Sequence, residues 1–250
     1  MNHPPQPTTS GIFPVWLRAD LARETALRYW TGPHAEIVAR LPHITEYLQH
    51  HFSATDHGYW PPSPTVGTAI PPDWRCDGIA EVRLAGAAAA LTVPLHMRQV
   101  YLDEQNLFDR VLGNLTGPRG GRWWTTGHDS DVGHRTVLLL RRRRGVGRRA
   151  FRSYVHNRIG PALHEAGARD LRTYTFLRWS SLPHPTPGIS HENPPYRRYH
   201  GCVVIGADSR AALAEILASK HVADLVADQH RVITAVHAFA VEHSEPVITA

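Results

Sequence analysis

His34, Tyr47 and His51 are the side chains of this sequence whose types and spacing best suit proton transfer. A histidine takes or gives a proton near neutrality. A tyrosine hydroxyl hydrogen-bonds an enolate or phenolate oxygen. Tyr47, Gln49 and His51 alternate along residues 43–53, so in a strand they share one face while Ile44, Leu48 and Phe52 share the other. His50 points with Leu48. His34 follows Gly32-Pro33, a pair that breaks a helix and lets the next side chain turn toward a sheet. Trp30 and Trp60 are the candidate aromatic wall, and the loop from Ala54 to Trp74 the candidate cover. Farther along, Tyr174 and Arg178 stand as counterparts of Tyr47 and His51, and the Arg178 guanidinium can receive a carboxylate. His237 shares a face with Phe239 and Val241. Each assignment has a structural alternative. His34 can pack between helices on a carbonyl, the Tyr47 face can look at solvent, and His237 can be a satisfied core residue.

Other chemistries find less support. His128, Asp129, Asp131 and His134 put four donors in seven residues, but Gly127 and Gly133 flank them and no periodicity fixes a coordination geometry. His50 and His51 with Asp56 and His57 are no better ordered. No metal and no cofactor are expected. The sequence contains no phosphate-binding P-loop, no dinucleotide fingerprint after a strand and no Gly-x-Ser-x-Gly elbow. Cys76 and Cys202 are too few for a disulfide framework, and Cys202 sits in an apolar strand as a packing residue.

The composition is that of an ordinary globular protein: 250 residues, 42% hydrophobic and 20% charged. No apolar run is long enough to span a membrane, and residues 1–11 carry no secretory pattern, so a cytoplasmic protein with a flexible tail is expected. The net charge is +5, with 27 basic residues against 22 acidic. Only Lys220 is a lysine, which reads as a composition bias rather than a nucleic-acid adaptation. The one dense run, Arg141 to Arg149, reads as a strand end and turn with solvated side chains. No nucleic-acid or membrane partner is expected.

The elements that must position these residues repeat. Strands are expected at 12–18, 43–53, 76–84 and 122–126. Helices are expected at 21–40, with Asp20 as N-cap, and at 86–112, the latter broken near Pro94. A second series follows: strand 136–142, helix 148–166, strand 171–180, strand 196–206, a helix from Ser209 to about Gln229, and strand 233–241. Ala26-Leu27-Arg28 matches Ala150-Phe151-Arg152, and Tyr47 falls on Tyr174. Such an internal repeat decides the fold class. The expectation is α+β: two tandem ferredoxin-like βαββαβ halves, 12–126 and 136–250, joined by a linker at 127–135. Their two four-stranded sheets would cover one another in a barrel-like core.

The stretch Arg28-Tyr-Trp-Thr-Gly-Pro-His34, followed by Leu41-Pro42 and Tyr47, resembles the EthD family of the dimeric α+β barrel superfamily. Asp77-Gly-Ile-Ala-Glu81 resembles its third strand, and Asp103-Glu-Gln-Asn-Leu-Phe108 its second helix. The likeness covers residues 12–126, whereas the second half resembles only the fold. It implies a small, often aromatic or polyketide-like ligand, held between sheet and helices. It also implies cofactor-free chemistry by a cyclase, isomerase or decarboxylase of secondary metabolism, in a homodimer. A non-catalytic binding protein is the alternative. A third is a haem- or oxygen-dependent enzyme, since haem peroxidases that join two such halves carry Gly-x-x-Asp-Gly. Here Trp74 stands in place of the first glycine before Asp77-Gly78.

Overall fold

Strands whose two faces both carry apolar side chains need cover on both sides, and a closed barrel wrapped in helices supplies it. The computed structural model describes residues 5–125, 127–180 and 186–249. It contains β1 (Gln6–Leu17), β2 (Ile44–Phe52), β3 (Gly78–Leu84), β4 (Phe108–Val111), β5 (Asn114–Trp123), β6 (His134–Arg142), β7 (Arg169–Phe176), β8 (Gly201–Ala207) and β9 (Ile233–Ile248). The strand order is β3-β2-β9-β6-β8-β7-β5-β1, and β1 pairs back onto β3, so eight of the nine strands close a ring; β4 hangs on β1. Outside the ring lie α1 (Arg23–Tyr29), α2 (Ala35–Ala39), α3 (Ala89–Thr92) and α4 (Arg98–Glu104). They are followed by α5 (Arg148–Tyr154), α6 (Gly160–Glu165), α7 (Arg210–Ala218) and α8 (Lys220–Asp228). The architecture is mixed α+β, a closed barrel with short helices around it.

The repeat is visible in the element spacing. Arg23, Trp30 and Ala35 open α1, a π turn (Trp30–His34) and α2, while Arg148, Val155 and Gly160 open α5, a π turn (Val155–Ile159) and α6, each 125 residues later. The two parts do not keep separate sheets laid face to face, as expected from sequence. They join edge to edge at β2–β9 and β5–β7 into one continuous sheet. The first seam exists because β9 continues past Val241 to Ile248, and those added residues pair with β2.

Several boundaries move for identifiable reasons. β1 begins at Gln6, inside the stretch expected to be a tail, since Thr8, Thr9 and Ser10 are buried and residues 6–8 pair with β5. The helix expected to reach residue 112 ends at Glu104. Phe108 and Val111 are buried on either side of Asp109-Arg110, and β4 pairs with the C-terminal end of β1, beyond its pairing with β5. Asp20 does not cap α1; it pairs with Arg18 instead. Ser209 does cap α7, accepting from the Ala212 N–H at 3.1 Å.

Inside the barrel Ile12, Leu48, Phe52, Ile79, Trp123, Leu139, Cys202 and Phe239 form an apolar cluster. Through it runs a buried polar chain. Glu81 accepts from Tyr174 and from His50 Nε2 (2.9 Å) and pairs with Arg172 Nε (2.9 Å). Arg172 reaches Asp170 at 2.6 Å, and Asp170 holds Arg135 at 2.7 Å. Burial opposes ionisation of Glu81, but the Arg172 charge and the His50 hydrogen bond outweigh it and hold the carboxyl at about 2. Breaking a buried pair leaves an uncompensated charge and costs about 3–5 kcal/mol, whereas removing both partners costs less. Glu81→Leu and Arg172→Leu should each destabilise on that scale, and the double variant by less than their sum. Urea unfolding of all four proteins measures this.

Burial also holds several imidazoles neutral. His51 and His156 are lowered to about 3, and His128, His200 and His237 to about 4. The unfolded chain protonates them near the ordinary value of about 6.5. Below that pH the unfolded state therefore binds more protons than the native state, so stability falls as pH drops from about 6.5 toward 4. Melting temperatures at neutral and mildly acid pH, with proton uptake on unfolding measured by calorimetry, should show this. A flat profile would contradict it.

Candidate functional site

The candidate site is a cavity of about 90 Å³ outside the barrel, between the outer face of β1–β3 and the helices α2 and α4. Phe13, Val38, Val82, Met97 and Phe108 make its wall apolar, and Trp30, His34, Tyr47 and Glu104 bring polar atoms into it. Two of the expected catalytic residues, His34 and Tyr47, thus line one cavity together with Trp30.

Local sequence explains how they arrive there. Pro33 has no N–H to give the helical ladder, and the chain passes it in the π turn joining α1 to α2. Trp30 opens that turn and His34 closes it, and both are buried against the sheet. Gln49 ties the turn to β2, donating to the Trp30 carbonyl at 2.8 Å and to the Tyr47 hydroxyl at 2.9 Å. The Tyr47 hydroxyl therefore accepts from Gln49 and keeps its own proton to donate. Burial pushes its pKa up to about 12, which makes it a hydrogen-bond donor rather than a base.

His34 is oriented by Asp103. Its Nδ1 donates to Asp103 Oδ2 at 2.8 Å, and the Tyr29 hydroxyl donates to Asp103 Oδ1 at 2.6 Å. Burial disfavours the Asp103 charge, but these two hydrogen bonds outweigh it and hold the carboxyl below its ordinary range. An ionised Asp103 keeps a proton on Nδ1, so Nε2 is the ring position left to exchange a proton with a ligand. Phe108 packs edge-on against the ring at 5.6 Å. Glu104, the next residue of α4, turns into the cavity and accepts from Thr186 Oγ1 at 3.0 Å. Burial among apolar side chains pushes its pKa up to about 7, despite the Thr186 bond. The cavity thus holds an oriented imidazole, a hydroxyl donor and a carboxyl poised to change protonation near neutral pH.

Sequence reasoning missed Asp103 and Glu104. The signal was present: Val100, Asp103, Glu104 and Leu107 fall at i, i+3, i+4 and i+7, the core-facing stripe of an amphipathic helix. Two carboxylates on such a stripe are buried unless the helix is turned around.

The other expected residues lie elsewhere. His51 shares the Tyr47 face but sits behind Trp30, stacked on its indole at 4.8 Å, and does not line the cavity. Trp60 packs under the helices of the second part with Tyr154 and Leu225, its indole N–H on Gln229 at 2.9 Å. The loop that carries Trp60 is anchored there and does not cover the cavity. Tyr174 points into the barrel and bonds Glu81. Its pairing with Tyr47 by an offset of 127 is one residue out of phase with the strands, and a one-residue slip moves a side chain to the other face. Arg178 is exposed at a separate cleft. His237 faces the barrel interior, its Nδ1 2.6 Å from the Tyr199 hydroxyl. His50 is the inward-facing histidine of β2. Among the described residues no three His, Cys, Asp or Glu side chains gather as a metal site. Asp129 is engaged by Arg169.

No protein-family model matches the chain, so the EthD resemblance rests on its motifs alone, and no curated protein matches it. Solved structures do. An anthrone oxidase-like protein superposes with a TM-score of 0.61 at 7% identity, over 97% of this chain and 94% of that one. A candidate monooxygenase from Lactobacillus acidophilus NCFM gives 0.57 at 8%, over 98% and 99%. Another, from Fusobacterium nucleatum subsp. nucleatum, gives 0.56 at 8%, over 96% and 93%. At such identities the likeness shows the fold alone, an α+β barrel that here closes within a single chain. Among the described residues no helix is long and apolar enough to cross a membrane.

A carboxyl that titrates near 7 is directly observable. The infrared difference spectrum between mildly acid and mildly alkaline buffer should show a protonated carboxyl band lost with a midpoint near 7, and Glu104→Gln should remove it.

Proposed function

We propose that this protein is a cofactor-independent enzyme that moves protons on an acidic aromatic or polyketide-type small molecule. The observation that carries the reading is the apolar cavity holding an Asp103-oriented His34 beside Tyr47 and Glu104. His34 Nε2 removes a proton from a phenol or from carbon next to a carbonyl. Tyr47 donates a hydrogen bond to the oxygen on which charge develops, and Glu104 returns a proton elsewhere on the product. Cyclisation, isomerisation and decarboxylation all run through such an enolate or phenolate. The name of the anthrone oxidase-like neighbour supports an aromatic ketone as the substrate class. His51 supports the Trp30 wall rather than touching substrate.

The same reading treats residues 12–126 and 136–250 as two ferredoxin-like halves. The 125-residue spacing and the shared strand order, β5-β1-β3-β2 in one and β9-β6-β8-β7 in the other, support it. A homodimer belongs to the proposal too. Leu91 and Leu95 are each 79% exposed on the segment that borders the cavity, and burying them favours association.

Anthrone is a suitable first probe, because loss of its ring C–H proton is read by deuterium exchange. The protein should accelerate exchange, and His34→Ala should lower the rate about 10²–10⁴-fold. Tyr47→Phe should cost less, and Glu104→Gln should remove the pH dependence near 7. A protein that binds acidic phenols and β-dicarbonyls with His34→Ala unchanged, yet accelerates none of them, is a carrier rather than an enzyme. Sedimentation showing only a monomer would remove the dimer.

A further inference from the structure

Six arginines, Arg142, Arg148, Arg149, Arg152, Arg178 and Arg198, line one cleft of about 1010 Å³ at the end of β7, beside α5. The cleft shares no lining residue with the cavity of His34. No Asp or Glu lines it, and none of the six guanidiniums is in an ion pair among the described residues. Inside the barrel and at its rim the arginines are paired instead: Arg135, Arg169 and Arg172 each hold carboxylates. What sets the cleft apart is that six unpaired guanidiniums converge on one concave surface with no carboxylate among its lining residues.

The cleft is also partly built. Arg142 is fixed by a bond to the Val146 carbonyl at 2.6 Å, Arg152 to the Arg119 carbonyl at 2.5 Å, and Arg198 to the Asn193 carbonyl at 2.8 Å. The Arg198 guanidinium lies over the Trp179 ring at 5.1 Å. Carbonyls orient these side chains without cancelling their charge, and each fork retains N–H groups to give. His200 at the same cleft is held neutral down to about 4, by burial first and then by Arg142, Arg141 and Arg198, which reports a positive field there.

We propose that this cleft binds a phosphorylated small molecule, between a sugar phosphate and a nucleotide in size. Six clustered guanidiniums call for several anionic oxygens close together, and phosphate esters and anhydrides present them in the geometry that the planar fork matches bidentately. A concave site suits a compact ligand better than an extended strand, and Trp179 and Phe176 offer flat apolar surface beside the charges.

Isothermal titration of the full chain at low salt tests this, with pyrophosphate and ATP as phosphate probes and citrate as the carboxylate probe. Pyrophosphate should bind at one site, weaken with added salt and raise the melting temperature. The double variant Arg148→Ala/Arg149→Ala and the single variant Arg178→Ala change exposed side chains on different elements, so the fold should survive. The double variant should lose about tenfold or more in affinity, with a smaller loss for Arg178→Ala. Arg231→Ala, exposed and outside the cleft, should bind as the parent does. Three results would each overturn the proposal: no heat and no thermal shift with millimolar pyrophosphate, equal binding by the cleft variants, or citrate binding more tightly than both phosphate probes. Single-stranded RNA displacing pyrophosphate from the same arginines would overturn it in favour of a nucleic-acid surface.

Discussion

The buried pairing of Glu81 with Arg172 ties the two parts of the chain together at the centre of the barrel. Glu81 belongs to β3 and Arg172 to β7, three strands apart around the ring, and neither strand pairs with the other. Ion desolvation in such a place is costly unless every charge is answered. Here Asp170 answers Arg172, Arg135 answers Asp170, and His50 and Tyr174 fill the remaining positions on Glu81. These ion pairs and hydrogen bonds come together when the seams β2–β9 and β5–β7 are both closed in register. Apolar packing around it favours closure in general; the polar chain selects one closure.

That central constraint leaves the outer layers free to differ. Both parts place a π turn over the sheet, at Trp30–His34 and at Val155–Ile159. In the second part the space beneath the helices is filled by Trp60, Tyr154, Leu163 and Leu171. His156 there is bonded by Thr173 and Thr175. In the first part the corresponding layer keeps a cavity, and His34 is bonded through Nδ1 to Asp103. Two identical chains would have to carry the same cavity twice. A single chain that contains both parts can devote one outer layer to a site and the other to stability.

Electrostatics separate the same regions. Carboxylates and arginines are matched inside the barrel, a carboxyl poised near neutrality occupies an apolar cavity on one side, and unmatched guanidiniums collect on the other. The environments differ in water access, which sets how much a charge costs. Glu81 and Glu104 are both buried glutamates. Beside Arg172 the first is held ionised, while the second, buried among apolar side chains and bonded by the Thr186 hydroxyl, is pushed toward its neutral form.

Much of the architecture was legible in the sequence. Alternation marked β2, apolar runs marked β6 and β8, helical spacing marked α1, and the mixed α+β class with a barrel-like core was expected. The placement of Trp30, His34 and Tyr47 on one side of the sheet was also legible, because a Gly-Pro break and a period-two strand place side chains by local geometry. Three things were decided only by the tertiary structure. Barrel closure depends on β9 running to Ile248 to meet β2, a pairing nearly 200 residues apart in sequence that no local pattern encodes. The facing of Tyr174 depends on strand phase, which one inserted residue reverses, so sequence matching paired it with the wrong face of β2. The acid–base character of Glu104 depends on burial and on the neighbouring Asp103 charge. Those are properties of the surrounding packing, whereas the sequence determines only which residues stand on which stripe of a helix or face of a strand.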